Sequence, residues 1–161
     1  MYRNKETTWL NFLAVITIGL ALTLASFSVR ADDIGTQDEA KALLARALEL
    51  VKVEGKDAAF AKFNKPDGGF KDRDLYVFVF QLDGMTLAHG GNPAMVGKNV
   101  GGVKDVDGKP FMQNMLDLAK SAGEGTIDYK WLNPTSKKIE AKRSYIKRVD
   151  DYLLGVGVYV K

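Results

Sequence analysis

Cysteine is missing altogether from the 161 residues, and no other absence excludes as much. It removes disulfides, thiolate zinc sites, the C-x-x-C-H haem attachment and a cysteine nucleophile together. Histidine is nearly missing too: His89 stands alone, and one imidazole does not make a zinc site by itself. A Ser-His-Asp arrangement is the familiar triad left open, and no G-x-S-x-G elbow accompanies it, which counts against a hydrolase. Charge of one sign is also scarce. Leaving out Arg3, Lys5 and Arg30 keeps 20 of the 23 Lys and Arg, and leaving out Glu6 keeps 19 of the 20 Asp and Glu. A balance near +1 over the remaining chain provides no field for nucleic acid.

Long apolar runs are equally few, and the one that matters is at the start. Arg3 and Lys5 form a positive n-region, Phe12 to Phe27 an apolar h-region, and Val29-Arg30-Ala31 a small-residue ending. This is the pattern of a secretory signal over residues 1–31, cleaved after Ala31. The run falls short of the roughly 20 apolar residues of a spanning helix and is diluted by Thr17, Gly19, Thr23 and Ser26. Retained as an anchor, it would keep Arg3 and Lys5 in the cytoplasm and still leave the rest outside. Both versions predict a periplasmic or secreted location for residues 32–161, which at roughly 130 residues suit one domain. Such a domain, exported without disulfides, must be held by packing.

Several elements can be read in those residues. Thr36 and Glu39 form a capping box, and Ala40, Leu43, Leu44, Ala47, Leu48 and Val51 repeat with helical spacing. Gly55 interrupts this helix, a shorter one carries Ala58, Phe60 and Phe63, and Pro66 to Gly69 close the unit. Leu75 to Leu82 is aromatic and β-branched on both faces, as a central strand would be. Asp83-Gly84 predicts a two-residue hairpin turn, and Met85 to His89 the return strand. A glycine-rich loop follows. Pro110 opens a middle helix with a stripe of Phe111, Met115, Leu118 and Ala119. The last third alternates as a three-stranded antiparallel meander, turning near Asn133 to Ser136 and at Asp150-Asp151. The fold class is therefore α+β: a five-stranded antiparallel sheet, a long N-terminal helix and a helix in the middle. On the last strand Gly155 and Gly157 share a face, which predicts a hollow above the sheet.

Few residues in this frame have chemistry to offer. His89 sits at a strand end, as an ordinary loop histidine or as one facing a cavity. Gly97-Lys98 lacks the remaining positions of a phosphate-binding loop, and Asp105-Val106-Asp107-Gly108 lacks those of a calcium loop, so each reads as a turn. Tyr129 and Trp131 on one strand face Lys142, Arg143 and Tyr145 on the next. Aromatic walls with a cation and a phenol suit a small carboxylate; the same residues also read as ordinary core and a solvated face. Lys142 and Tyr145 fall on opposite faces of an ideal strand, so joint use requires a bulge.

Tyr76 to Phe80, Asp83-Gly84, Ala88-His89, Asn92-Pro93, Gly97-Lys98-Asn99, Gly125, Tyr129-Lys130-Trp131, Pro134, Lys142, Ser144-Tyr145 and Gly155 to Tyr159, taken together, give the chain a family likeness. It resembles the single Cache domain. The resemblance implies a PAS-like extracytoplasmic sensor whose concave sheet binds small metabolites, often short carboxylates or amino acids. It also implies ligand contacts at Tyr129, Trp131, Lys142 and Tyr145, with His89 and Asn92 on the loop side. Departures occur at Gly90, Val156 and Tyr152, where relatives commonly carry Pro, Thr and Trp. Most relatives are the outer part of chemoreceptors or sensor kinases. The expectation is thus a non-enzymatic binding module without cofactor or metal, working through a membrane receptor or transporter, with pairing of two copies through the N-terminal helix. The alternative is a protein-protein interaction module with a sealed core.

Overall fold

The computed structural model describes residues 34–160, so the predicted signal over residues 1–31 lies outside the described residues. Among the described residues no helix is long and apolar enough to cross a membrane. The N-terminal helix, α1 (Gln37–Glu54), is closed at its start by the expected capping box, with Thr36 and Glu39 exchanging hydrogen bonds. Gly55, at φ 83°, ends it and leads into α2 (Lys56–Phe63). There Ala59, rather than the expected Ala58, joins Phe60 and Phe63 in the core.

A two-residue strand, β1 (Lys71–Asp72), pairs with the start of β2 (Leu75–Gln81). The hairpin to β3 (Thr86–His89) is longer than predicted. Gln81 and Met85 close it around Leu82, Asp83 and Gly84, and Gly84 takes φ +95°, which suits a three-residue loop with glycine at its left-handed position. After the glycine-rich loop comes α3 (Phe111–Ser121), preceded by Pro110, and then the meander β4 (Glu124–Leu132), β5 (Ile139–Val149) and β6 (Tyr152–Tyr159). The central path runs β2-β6-β5-β4, all antiparallel, with β3 and the short β1 both on β2. The α+β architecture is the expected one.

Period-two alternation divides the core between the two faces of this sheet. Leu75, Val77, Val79, Leu154, Val156 and Val158 pack against α1 and α2. Tyr76, Phe78, Phe80, Tyr129, Ile146 and Leu153 pack against α3 and the loop before it. The second face carries the candidate site.

Candidate functional site

Three strands bring their side chains into register on the α3 face. Tyr129, Lys142 and Tyr159 are partners across β4, β5 and β6, and Ser144 stands opposite both Ile127 and Gly157 in the adjacent row. The predicted hollow at the glycines is filled. A Cβ on Gly157 would lie 2.1 Å from Lys142 Cε, and one on Gly155 would lie 2.3 Å from the Phe78 ring. The glycines let the Lys142 stem and the Phe78 ring lie directly on the β6 backbone.

Lys142 is 1% exposed, although its side chain ends in an amine. Its Nζ donates to the Tyr76 hydroxyl at 2.7 Å and lies 3.5 Å from that of Tyr159, over both rings at 3.9 and 4.7 Å from their centres. Among the described residues it has no carboxylate in ion-pair contact. Burial therefore pushes its pKa well below the usual lysine range, with the charge of Asp74 as the opposing influence. Burial likewise drives the Tyr76 phenol upward.

His89 is fixed from two sides. Its backbone N–H donates to Asn64 Oδ1 at 2.8 Å, and its ring Nδ1 accepts from the Asn92 backbone N–H at 2.9 Å. With Nδ1 an acceptor, the proton of the neutral ring sits on Nε2, which has no hydrogen-bond partner among the described residues and is free to donate. Burial, reinforced by the Lys142 charge, lowers the imidazole pKa to about 3, so it is neutral at physiological pH.

Tyr76, His89, Met95 and Trp131 line both of two neighbouring spaces. The inner one is walled by Phe78, Phe80, Val100, Phe111 and Met112, and leaves only about 20 Å³ for the centre of a water-sized sphere. That suffices for about one water. It is this small because Phe111 stacks on Tyr129 at 4.2 Å and 5°, with Trp131 edge-on to Phe111 at 5.4 Å. The outer space, about 250 Å³, opens past Gly91, Asn92, Pro134 and Lys137. Neither is lined by Asp or Glu.

Five of the six predicted site residues meet here: Tyr129, Trp131, His89 and Asn92 line the two spaces, and Lys142 adjoins them. Lys142 stands behind the wall and reaches the cavity through the Tyr76 hydroxyl. Asn92 lines the outer space on the loop side and also shapes the loop. Its side chain accepts from Ala94 N–H to cap the turn Pro93–Met95, and its backbone sets the His89 tautomer. Tyr145 is not part of the group. The β4–β5 and β5–β6 registers run without a bulge, so Tyr145 emerges on the α1 face and donates to Gln37 Oε1 at 2.8 Å. Arg143 pairs with Asp128 at 2.7 Å at the surface. Asp105 and Asp107 are engaged by Lys109 and Lys130, away from His89. The sequence reading missed Tyr76 and Tyr159, the two phenols on Lys142. The signal for them was the spacing that places Tyr76, Phe78 and Phe80 on one face and Tyr159 with the glycines.

Comparison with known proteins fits this geometry. The family model "Single Cache domain 2" matches residues 28–161. The chemotaxis protein McpP of Pseudomonas putida is 30% identical over 91 residues, covering 55% of this chain and 17% of that protein. The sensor histidine kinase MctS of Rhizobium johnstonii is 28% identical over 162 residues, covering 99% and 30%. The chain thus spans under a third of the length of these relatives. Among solved structures, a methyl-accepting chemotaxis protein of Vibrio parahaemolyticus shares the fold at TM-score 0.66 and 23% identity, covering 77% of this chain and 88% of the other. A Cache chemosensory domain studied for carboxylic acid recognition superposes at TM-score 0.60 with 25% identity, over 77% and 88%. Cache domains of this kind are extracytoplasmic sensor domains of chemoreceptors and sensor kinases. With its model match running from residue 28 to the last residue and its fold shared with chemosensory domains, the chain belongs to the single Cache domain 2 family.

Proposed function

We propose that this domain senses a short monocarboxylate, held with its anionic end toward Lys142, Tyr76 and His89 and its apolar end in the inner cavity. The observation that carries the reading is Lys142: a fully buried cation whose direct partners are phenols rather than a carboxylate. Burying a charge without a counterion is costly. A ligand carboxylate would supply a nearby counter-charge and gain charge-assisted hydrogen bonds from the Tyr76 hydroxyl, onto which Lys142 donates, and from His89 Nε2. The lining selects within the organic anions. Among the described residues no acidic side chain lines either space to receive the ammonium of an amino acid, and the further polar groups of the inner wall are the Trp131 indole N–H, directed to Tyr76, and the Tyr129 hydroxyl, bonded to Ser144 at 2.9 Å. At the ceiling of about 1.5 kcal/mol per heavy atom, four-atom acetate reaches at most roughly 6 kcal/mol, or tens of micromolar. Output is assigned to a membrane receptor or transporter acting with this domain.

The close stack of Phe111 on Tyr129 favours a second reading, a sealed interaction module. Thermal denaturation of the full chain with acetate, propionate, succinate and alanine separates the two. The sensor reading expects the monocarboxylates to raise the midpoint and Lys142→Ala to abolish that rise. No shift from any of them, or a shift unchanged by the substitution, favours the sealed module.

A further inference from the structure

Three of the large apolar side chains exposed among the described residues stand together. Val106, Leu132 and Ile139 are 61%, 52% and 53% exposed and line one groove of about 290 Å³ beside Trp131, at the free edge of β4. Leu132 and Ile139 are partners where β4 meets β5. The turn that carries Val106 is fastened to the same edge: Asp105 Oδ2 accepts from the Lys130 N–H at 3.1 Å, and Asp107 pairs with Lys130 Nζ at 2.8 Å. Exposed apolar residues gathered within a polar rim mark an interaction surface, whereas scattered ones do not.

The rim is basic. Lys104, Lys137 and Lys138 are exposed and have no carboxylate partner among the described residues. The carboxylates nearby are engaged: Asp105 and Asp107 at the β4 edge, and Glu140 by the Asn133 side-chain amide and the Ser136 hydroxyl at 2.7 and 2.9 Å. An anionic partner suits this rim.

The place of the groove in the fold narrows the partner further. β4 ends at Leu132, β5 begins at Ile139, β6 ends at Tyr159 and β2 begins at Leu75, so in this antiparallel sheet all four lie at one end. The Tyr159 hydroxyl donates to the Leu132 carbonyl there at 2.7 Å. Gly35 is held at the same end, its N–H donating at 2.7 Å to Oδ1 of Asp74, the residue before β2. From β2 to β4 is three strand spacings, about 14 Å. Phe27, the last residue of the apolar run, stands seven residues before Ile34, a stretch that spans at most about 25 Å when extended. With that run in a bilayer, as an anchor or before its cleavage, this end of the sheet is the one beside the lipid.

We propose that this groove docks on an anionic lipid surface, with Val106, Leu132 and Ile139 entering the headgroup layer and Lys104, Lys137 and Lys138 meeting lipid phosphates. Interfacial binding of this kind adds buried apolar area to attraction for anionic lipid. Three apolar side chains hold weakly, and a short tether supplies the local concentration at which a weak contact forms. The contact needs nothing from the pocket and stands whether or not a carboxylate binds there.

Spin labelling of the full chain tests this, and the lack of native cysteine makes each label unique. Ile139→Cys places one label in the groove. Val53→Cys places the other at a site 71% exposed near the end of α1, where Val51 and Lys52 lie by Val149 and Tyr152 at the opposite end of the sheet. On vesicles of equal parts phosphatidylglycerol and phosphatidylcholine, the label at position 139 is expected to gain oxygen contact about threefold over its value in solution, while the label at position 53 does not change. Lys137→Glu combined with Lys138→Glu should roughly halve that gain, and so should vesicles of phosphatidylcholine alone. Equal responses at the two positions overturn the proposal, as does a gain at position 139 that ignores both the lysine substitutions and the lipid charge. Spin–spin broadening at position 139 without vesicles would place a second copy on the groove and overturn it as well.

Discussion

At Gly157 the Lys142 stem occupies the volume a side chain would need, with Ser144 Oγ only 2.5 Å from the Cβ position. Gly157→Ala is therefore expected to cost about 1–3 kcal/mol by overpacking. Adding Lys142→Ala should recover part of that loss, since the two positions share one volume and do not act additively. Urea denaturation of the single and double variants measures both effects. His89 makes a prediction about pH. In the unfolded chain its imidazole takes a proton near 6.5, whereas in the folded domain it does so only at about 3. Between those values the unfolded state binds more protons, so this group makes stability fall as pH drops, by up to about 1.4 kcal/mol per unit, and the effect levels off below about 3. Comparing urea midpoints from pH 7 to 4 with those of His89→Gln isolates the contribution. Equal slopes in the two proteins would show that His89 is not held neutral by its burial. The sequence put His89 in view as a lone histidine beside glycines. Its tautomer was not legible, because the Asn92 backbone N–H that fixes it belongs to a turn whose path only the fold defines.

Elements were readable wherever period and punctuation agreed. The capping box Thr36–Glu39, the turns near Asn133 to Ser136 and at Asp150-Asp151 that bound β5, and the alternation of β4 all match the sequence reading, because each is determined by residues close in the chain. The β2–β3 loop came out one residue longer than Asp83-Gly84 suggested, since its closure depends on Gln81 and Met85 as well. Tyr145 shows how register decides a site. The family resemblance placed it with Lys142, which required a bulge, but an unbroken strand sends it to the α1 face, where its hydroxyl meets Gln37 and its ring lies 5.2 Å from Lys41 Nζ. Tyr145→Phe is expected to leave any propionate-induced thermal shift unchanged. A shift reduced as much as in Lys142→Ala would require β5 to twist out of its register.

In the molecule as a whole, one sheet separates two packed layers: α1 and α2 on one side, α3 and the pocket on the other. That one face of the sheet carries rows of aromatic residues and glycines was legible in the sequence. How much space remains was not, because it depends on how Phe111 from α3 meets Tyr129 from β4, a contact between distant parts of the chain. A ligand that binds only the folded domain stabilises it by about 2.7 kcal/mol at 100 times its dissociation constant. The propionate midpoint should therefore keep rising with the logarithm of concentration above that constant, as a calorimetric titration series would record. A rise that stops once the site is filled would mean that the unfolded chain binds propionate as well. The stacked pair has a further consequence, for rates. With about 20 Å³ inside, the proposed ligand's organic tail would enter only if Phe111 and Tyr129 parted, and the frequency of that separation would set the pace of association. Acids of similar length should then share one slow on-rate and differ in how quickly they leave, making residence time the quantity by which this domain distinguishes them.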